Sequence, residues 1–168
     1  MTKEGIITKG YSGFYYVWDS NSLWECSLRG KFRVKRQTFF PGDRVVITIL
    51  DAEKKKAVIE QILPRKTELE RPTIANVDQA VIVTALANPE PDFWLLERLL
   101  VIVQYNLVAP VLCFNKCDIV SSHEAQRVKT IYEKAGFPVI LTSANKGWGL
   151  EELKEVLQDK ISVFAGPS

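Results

Sequence analysis

The chain has 168 residues, 46% of them hydrophobic and 25% charged, with a formal net charge of +2. This is ordinary for a soluble globular protein of one domain or two small ones, and it excludes collagenous, coiled-coil and low-complexity classes. No apolar run reaches the roughly 18 to 20 residues that span a bilayer, no signal-peptide core follows Met1, and Cys26, Cys113 and Cys117 lack disulfide-framework spacing, so a cytoplasmic chain with no membrane partner is expected.

Charge divides the chain. Residues 1–66 hold 13 Lys and Arg against 7 Asp and Glu, and residues 67–168 hold 9 against 13. Two units with different partners follow from that asymmetry. The first reads as short strands at 5–9, 14–19, 23–28, around 31–36, 44–50 and 57–63, separated by turn signals at Tyr11-Ser12-Gly13, Asp19-Ser20-Asn21-Ser22 and Pro41-Gly42-Asp43. Five or six such strands in about 65 residues predict a small closed barrel.

Arg29, Lys31, Arg33 and Lys35 alternate with Gly30, Phe32 and Val34, so an extended backbone sets four cations on one face; Arg36 and Arg44 add to them. Such an array holds phosphate backbones, which makes these six the candidate RNA-binding residues. Of Phe14, Tyr15, Tyr16, Trp18, Trp24, Phe39 and Phe40, most are expected in the barrel core, with one or two facing out near Phe39 and Phe40. Lys54-Lys55-Lys56 sits at a hairpin tip, solvated or touching RNA.

The stretch 63–72 is proline-bounded and charged, and residues 67–72 are expected to link a barrel over 1–66 to a second domain over 73–168. There the period changes. A β-branched run at 77–85 suits a strand buried on both faces, 93–105 has helical length, and 108–114 is a second buried strand. Ser121 or Ser122 caps a helix running to Ala135, Gly136 ends it, and 137–142 is a third strand. Leu150, Leu153, Val156 and Leu157 share one face of a last helix, 150–158. Strands alternating with helices give a parallel α/β sheet, so the fold class is a β barrel followed by an α/β domain. His123, beside Glu124, reads as a solvated helix-start residue, and no metal ligands are assigned.

Immediately after the second of these strands comes Asn115-Lys116-Cys117-Asp118, at the carboxyl end where open α/β sheets place ligands. A carboxylate at Asp118 can accept from guanine N1–H and the exocyclic amine together, a donor pair that adenine lacks. Asn115 can bond the base edge, and the Lys116 stem can lie along the ring with its ammonium in water. The next strand ends in Thr142-Ser143-Ala144-Asn145, where the Ala144 N–H can meet guanine O6. The tail is a strand followed by Gly166, Pro167 and Ser168, the beginning of a G-x-x-x-x-G-K-[S/T] phosphate loop without its later residues.

These features occur in a particular order: Cys26-Ser27-Leu28-Arg29-Gly30, Pro41-Gly42-Asp43, Leu63-Pro64-Arg65-Lys66-Thr67 to Arg71-Pro72, Ile74-Ala75-Asn76-Val77-Asp78-Gln79, then N-K-x-D, Ser-Ala and Gly-Pro-Ser. In that order the chain resembles the circularly permuted GTPases, most closely the ribosome small-subunit-dependent family known as RsgA (YjeQ or YloQ). The resemblance implies an OB-fold barrel joined to part of a permuted P-loop GTPase domain, GTP hydrolysis stimulated by the small ribosomal subunit during its late maturation, and that subunit and its rRNA as partners. It implies that Asn115, Lys116 and Asp118 read guanine with support from Ser143 and Ala144, and that Gly166, Pro167 and Ser168 begin the phosphate loop. Family members continue into a complete phosphate loop, segments that bind Mg2+ with GTP or GDP, and a C-terminal Zn2+ domain. The chain therefore reads as an N-terminal fragment, inactive alone because phosphoryl transfer rests on the lysine and magnesium it lacks. Two other readings stand beside it: a nucleotide-independent RNA-binding scaffold, and a permuted GTPase serving a different RNA particle.

Overall fold

The computed structural model describes residues 1–30, 32, 38–70 and 73–166, which form two compact units, Met1–Asn76 and Val77–Ser168. In the first, β1 (Thr2–Tyr11), β2 (Phe14–Trp18), β3 (Leu23–Leu28), β4 (Arg44–Asp51) and β5 (Lys56–Ile62) close a barrel in the order β1-β2-β3-β5-β4. β3 and β5 run parallel and the other ladders are antiparallel. Alternation drives the closure: Ile7, Val17, Trp24, Cys26, Val45, Ile47, Ala57 and Ile59 point inward and form one core. Positive φ at Ser12 and Gly13 gives the two-residue turn that matches strand twist, and Asp19 Oδ1 accepts from the Asn21 and Ser22 N–H groups to turn β2 into β3.

Three expectations for this unit differ from the structure. Around 31–36 a strand was expected, but Gly30 and Phe32 are helical, with the Phe32 N–H donating to the Arg29 carbonyl at 3.0 Å and the ring buried in the core. Lys31, Arg33, Lys35 and Arg36, on which the alternating cationic face depended, lie outside the described residues. Among the aromatics, Trp24 is buried and Tyr15 and Phe39 pack on the core, whereas the exposed rings are Phe14 and Trp18.

Residues 67–72, expected as a linker, contribute β6 (Glu68–Glu70), which pairs with β7 (Thr73–Ala75) as a short hairpin within the first unit. The motif residues hold that hairpin on the barrel. Gly42, at φ +87°, donates to the Ile7 carbonyl at 2.7 Å, and a Cβ there would stand 1.9 Å from the Ala75 carbonyl oxygen. Only glycine allows this approach. Asp43, whose side chain is wholly buried, accepts from Arg65 Nε at 2.7 Å, Arg65 Nη2 at 2.9 Å and the Phe40 N–H at 2.7 Å. Arg65 also donates to Glu68 and the Thr38 carbonyl and stacks on Phe40 at 4.0 Å. Asn76 closes the latch, donating to the Gly42 carbonyl at 2.9 Å and accepting from the Lys66 N–H at 2.8 Å.

The second unit follows as β8 (Gln79–Ala85), α1 (Phe93–Tyr105), β9 (Ala109–Asn115), a 3-10 turn (Cys117–Ile119), α2 (Ser122–Lys134), β10 (Val139–Leu141), α3 (Leu150–Leu157) and β11 (Ser162–Ala165). Its strands are all parallel, in the order β10-β9-β8-β11. α1 packs on β8 and β9 and α2 on β10, with Tyr132 of α2 against Phe114, while Leu153, Val156 and Leu157 of α3 cover Val81, Val111, Cys113 and Ile140. Side chains alternate across a strand, so these two sets lie on opposite faces of the sheet. Of the two candidate serines Ser121 is the cap, accepting from the Glu124 N–H at 3.1 Å. Asp78 and Gln79 pin the start of β11: Asp78 Oδ2 accepts from the Ile161 N–H at 2.7 Å, and Gln79 Nε2 donates to Ser162 Oγ at 2.9 Å. No helix among the described residues is long and apolar enough to cross a membrane.

Candidate functional site

The site forms because β9 and β10 are parallel neighbours that end together, Leu141 lying beside Phe114. The Thr142 N–H donates to the Phe114 carbonyl at 2.8 Å and the Cys117 N–H to the Thr142 carbonyl at 3.0 Å, so the two following loops leave the sheet side by side. Lys116 takes the left-handed conformation, φ +64°, which turns the chain into the 3-10 segment carrying Asp118. The second loop folds back through a bridge between Ser143 and Trp148 and ends at Gly149, φ +69°, where a Cβ would lie 2.0 Å from the Leu141 carbonyl oxygen.

Side chains then join the loops. Asn115 Oδ1 accepts from the Ala144 N–H at 3.1 Å and from Thr142 Oγ1 at 3.3 Å. Ser143 Oγ donates to Asp118 Oδ1 at 2.6 Å and accepts from the Lys146 N–H at 3.1 Å. The Ser143 hydrogen bond holds the Asp118 carboxyl below the usual carboxylate range, with help from the Lys146 charge. Asn115, Lys116, Asp118, Ile119, Ser143, Ala144 and Asn145 line one cavity of about 280 Å³. All five residues singled out at this sheet edge therefore meet in one place.

Two details differ from the simplest sequence picture. The Ala144 N–H, expected to face a base O6, is engaged by Asn115, and the Lys116 ammonium donates to the Asn88 carbonyl in the loop after β8. Asn115 and Lys116 also line a second cavity of about 420 Å³ with Thr84, Pro89, Glu90 and Asp92. Sequence reasoning missed Thr142, Lys146 and Ile119. Only the position of Thr142, one residue before Ser143 at a strand end, offered a signal.

The remaining candidates are dispersed. Gly166 follows β11 where a Cβ would stand 2.2 Å from the Val83 carbonyl oxygen, and Pro167 and Ser168 lie outside the described residues. In the barrel, Arg29 pairs with Glu60 and Arg44 with Glu4 at 3.2 Å. Lys55 is drawn onto the Trp24 ring at 4.9 Å and Lys56 lies 3.9 Å from Glu25. Burial pushes the Cys26 thiol up to about 12 and raises Cys113 and Cys117 as well, so none is a poised nucleophile. Among the described residues no three His, Cys, Asp or Glu are grouped to hold a metal ion.

Comparison with known proteins agrees with both units. The family described as RsgA N-terminal domain matches residues 4–59, and RsgA GTPase matches residues 62–168. A small ribosomal subunit biogenesis GTPase RsgA from Alkaliphilus metalliredigens is 46% identical over 165 residues, covering 98% of this chain and 56% of the relative. The protein of the same name from Agathobacter rectalis is 41% identical over 175 residues, covering 98% and 58%. Among solved structures, YjeQ from Thermotoga maritima (TM-score 0.89, 35% identity) and YloQ, a circularly permuted GTPase (TM-score 0.88, 37% identity), each cover all of this chain and 61% of their own. The OB-like barrel followed by a parallel sheet with flanking helices is thus the architecture of those structures. The chain spans a little over half the length of the curated relatives it matches. It belongs to the RsgA GTPase family.

Proposed function

We propose that this chain supplies the guanine-reading part, and an RNA-binding barrel, of a GTP-binding and GTP-hydrolysing factor that acts in the cytoplasm on the small ribosomal subunit late in its maturation. The observation that carries the reading is the Asp118 carboxylate, kept ionised and oriented by Ser143 at 2.6 Å on the wall of the cavity formed by two converging loops. An ionised, acceptor-only group aimed at the cavity selects a base edge with two adjacent donors, which guanine has and adenine lacks. Asn115 keeps the two loops together, so the base site is assembled before a ligand arrives. Ser143 acts through Asp118 as a positioning residue, Lys116 borders the base cavity, and Gly166 to Ser168 lead into the phosphate loop.

Hydrolysis of GTP with Mg2+, and a Zn2+ site, belong to the longer family member. Contact with rRNA is assigned to the barrel through Arg29 and Arg44, both exposed, together with Lys31, Arg33, Lys35 and Arg36. Replacing Asp118 by Asn tests the base assignment. An amide donor matches the 2-oxo group of xanthine, so D118N is expected to shift preference from guanine to xanthine nucleotides; unchanged GDP affinity removes Asp118 from the base site.

A further inference from the structure

Gln79 opens β8, a strand that continues as Ala80, Val81, Ile82, Val83, Thr84 and Ala85. Its side chain is buried, at 2% exposure, and each of its polar atoms is engaged: Nε2 donates to the Val156 carbonyl at 2.8 Å and to Ser162 Oγ at 2.9 Å, and Oε1 accepts from Lys160 Nζ at 3.2 Å. The three partners follow one another along the chain, in the last turn of α3, the turn after it and the first residue of β11. A buried amide is costly unless its hydrogen bonds are made, and once they are made it fixes a single geometry.

β11 depends on such an anchor. It has four residues, of which Val163 alone is buried, and among the described residues it pairs with β8 only. So short a strand with so little buried surface is held weakly by its own packing. Its far end is where placement matters. Gly166 lies where a Cβ would meet the Val83 carbonyl, so sliding β11 by one residue brings Ala165 or Pro167 into a place that admits no Cβ. Val83 also walls the cavity that Asn115 and Lys116 border, and β8 is the one strand between β9 and β11. Two strand spacings, about 9–10 Å, therefore separate the base-reading loop after β9 from the turn at Gly166, a span that one nucleotide bridges from base to phosphates.

We infer that Gln79 is a positioning residue for nucleotide binding: by anchoring β11 to β8 it sets where the phosphate loop opens relative to the guanine cavity. This rests on the reading of Gly166 to Ser168 as the start of that loop. Asp78 assists from the surface, its carboxylate accepting from the Ile161 N–H at 2.7 Å, but it is exposed and its hydrogen bond competes with water.

The first measurement is amide hydrogen exchange in the 168-residue chain, comparing the wild type with Q79L and S162A. Both variants are expected to speed exchange at the β11 amides paired with β8 and to leave β9 and β10 at wild-type rates. Q79L, which removes three hydrogen bonds, is expected to do so by at least about tenfold, and S162A by less. The second measurement is the affinity for GDP and for guanosine of the longer family member that carries these residues and continues through the phosphate loop. Q79L is expected to weaken GDP at least about tenfold, the worth of one hydrogen bond to a charged group. Guanosine affinity stays unchanged, because guanosine reaches only the base cavity, whereas a purely structural role weakens both ligands alike. Wild-type exchange at β11 in both variants overturns the inference, and so does an equal fall for GDP and guanosine or no fall for either. If Q79L does not fold, S162A decides on the same two readouts. A wild-type longer protein that binds GDP no better than guanosine overturns the phosphate-loop reading itself, and the inference with it.

Discussion

Replacing Arg65 by Met tests whether the buried Asp43 carboxylate is what fastens the β6–β7 hairpin to the barrel. The substitution keeps an unbranched stem of similar length but removes the guanidinium from Phe40 and two of the three hydrogen bonds to Asp43, leaving the Phe40 N–H at 2.7 Å. Removing one partner of a buried ion pair costs about 3–5 kcal/mol because the other charge stays buried and uncompensated. Arg65 is 20% exposed and Asp43 not at all, so water reaches the gap only from the arginine side and the lower end, about 3 kcal/mol, is expected. For a unit the size of Met1–Asn76, each kcal/mol moves Tm by about 4–8 °C, giving a fall of roughly 12 to 24 °C. Differential scanning calorimetry of the chain reads this shift. Adding Asp43→Asn to the R65M background removes the stranded charge and is expected to recover a large part of the loss. A shift under about 0.5 kcal/mol for R65M, the range of ordinary surface changes, or no recovery in the double variant, refutes the latch.

Further predictions concern the same unit. Asp19 accepts from Lys3 at 2.5 Å, Trp24 Nε1 at 3.0 Å and two backbone N–H groups, and the Lys3 ammonium above all holds its carboxyl far below the usual range. Because the folded value is depressed, its contribution to stability is complete above the unfolded value of about 3.9 and disappears as pH falls below it. Denaturant midpoints measured from pH 6 down to pH 2 should therefore fall more steeply for the wild type than for Asp19→Asn, and parallel curves contradict the assignment. Gly42→Ala and Gly13→Ala form a matched pair, since both backbones have positive φ but only Gly42 faces a carbonyl, at 1.9 Å from an added Cβ. Gly13→Ala is expected to cost about 1–2 kcal/mol from backbone conformation alone, and Gly42→Ala distinctly more in the same melt. Equal losses would mean that the hairpin moves aside without cost.

Much of this architecture is legible in the residues because one period repeats. Val45 and Ile47 against Ala57 and Ile59 alternate as barrel strands must, and the β-branched run within 79–85 is buried as its composition predicts. The segment after β3 misleads for a physical reason: a short stretch with apolar Phe32 and Val34 among cations fits either period, and the burial of Phe32 in the core is a long-range fact. The connector conceals its strand because Leu69, which is buried, stands between two glutamates that look like a solvated linker. At the site, residue types and their sheet edge can be read from the chain. The engagement of Ala144 by Asn115 and of Lys116 by Asn88 cannot, since both depend on how loops far apart in sequence lean together.

The most direct test of the guanine assignment is an amide chemical-shift titration of the 15N-labelled chain with GDP and, separately, with ADP. Millimolar ligand suits a base site whose net hydrogen bonds are each worth only about 0.5–1.5 kcal/mol. The account predicts that GDP shifts the amides of Asn115 to Ile119 and Ser143 to Lys146 together, and that ADP leaves them in place. Equal shifts with both nucleotides, or GDP shifts confined to other parts of the chain, would contradict it.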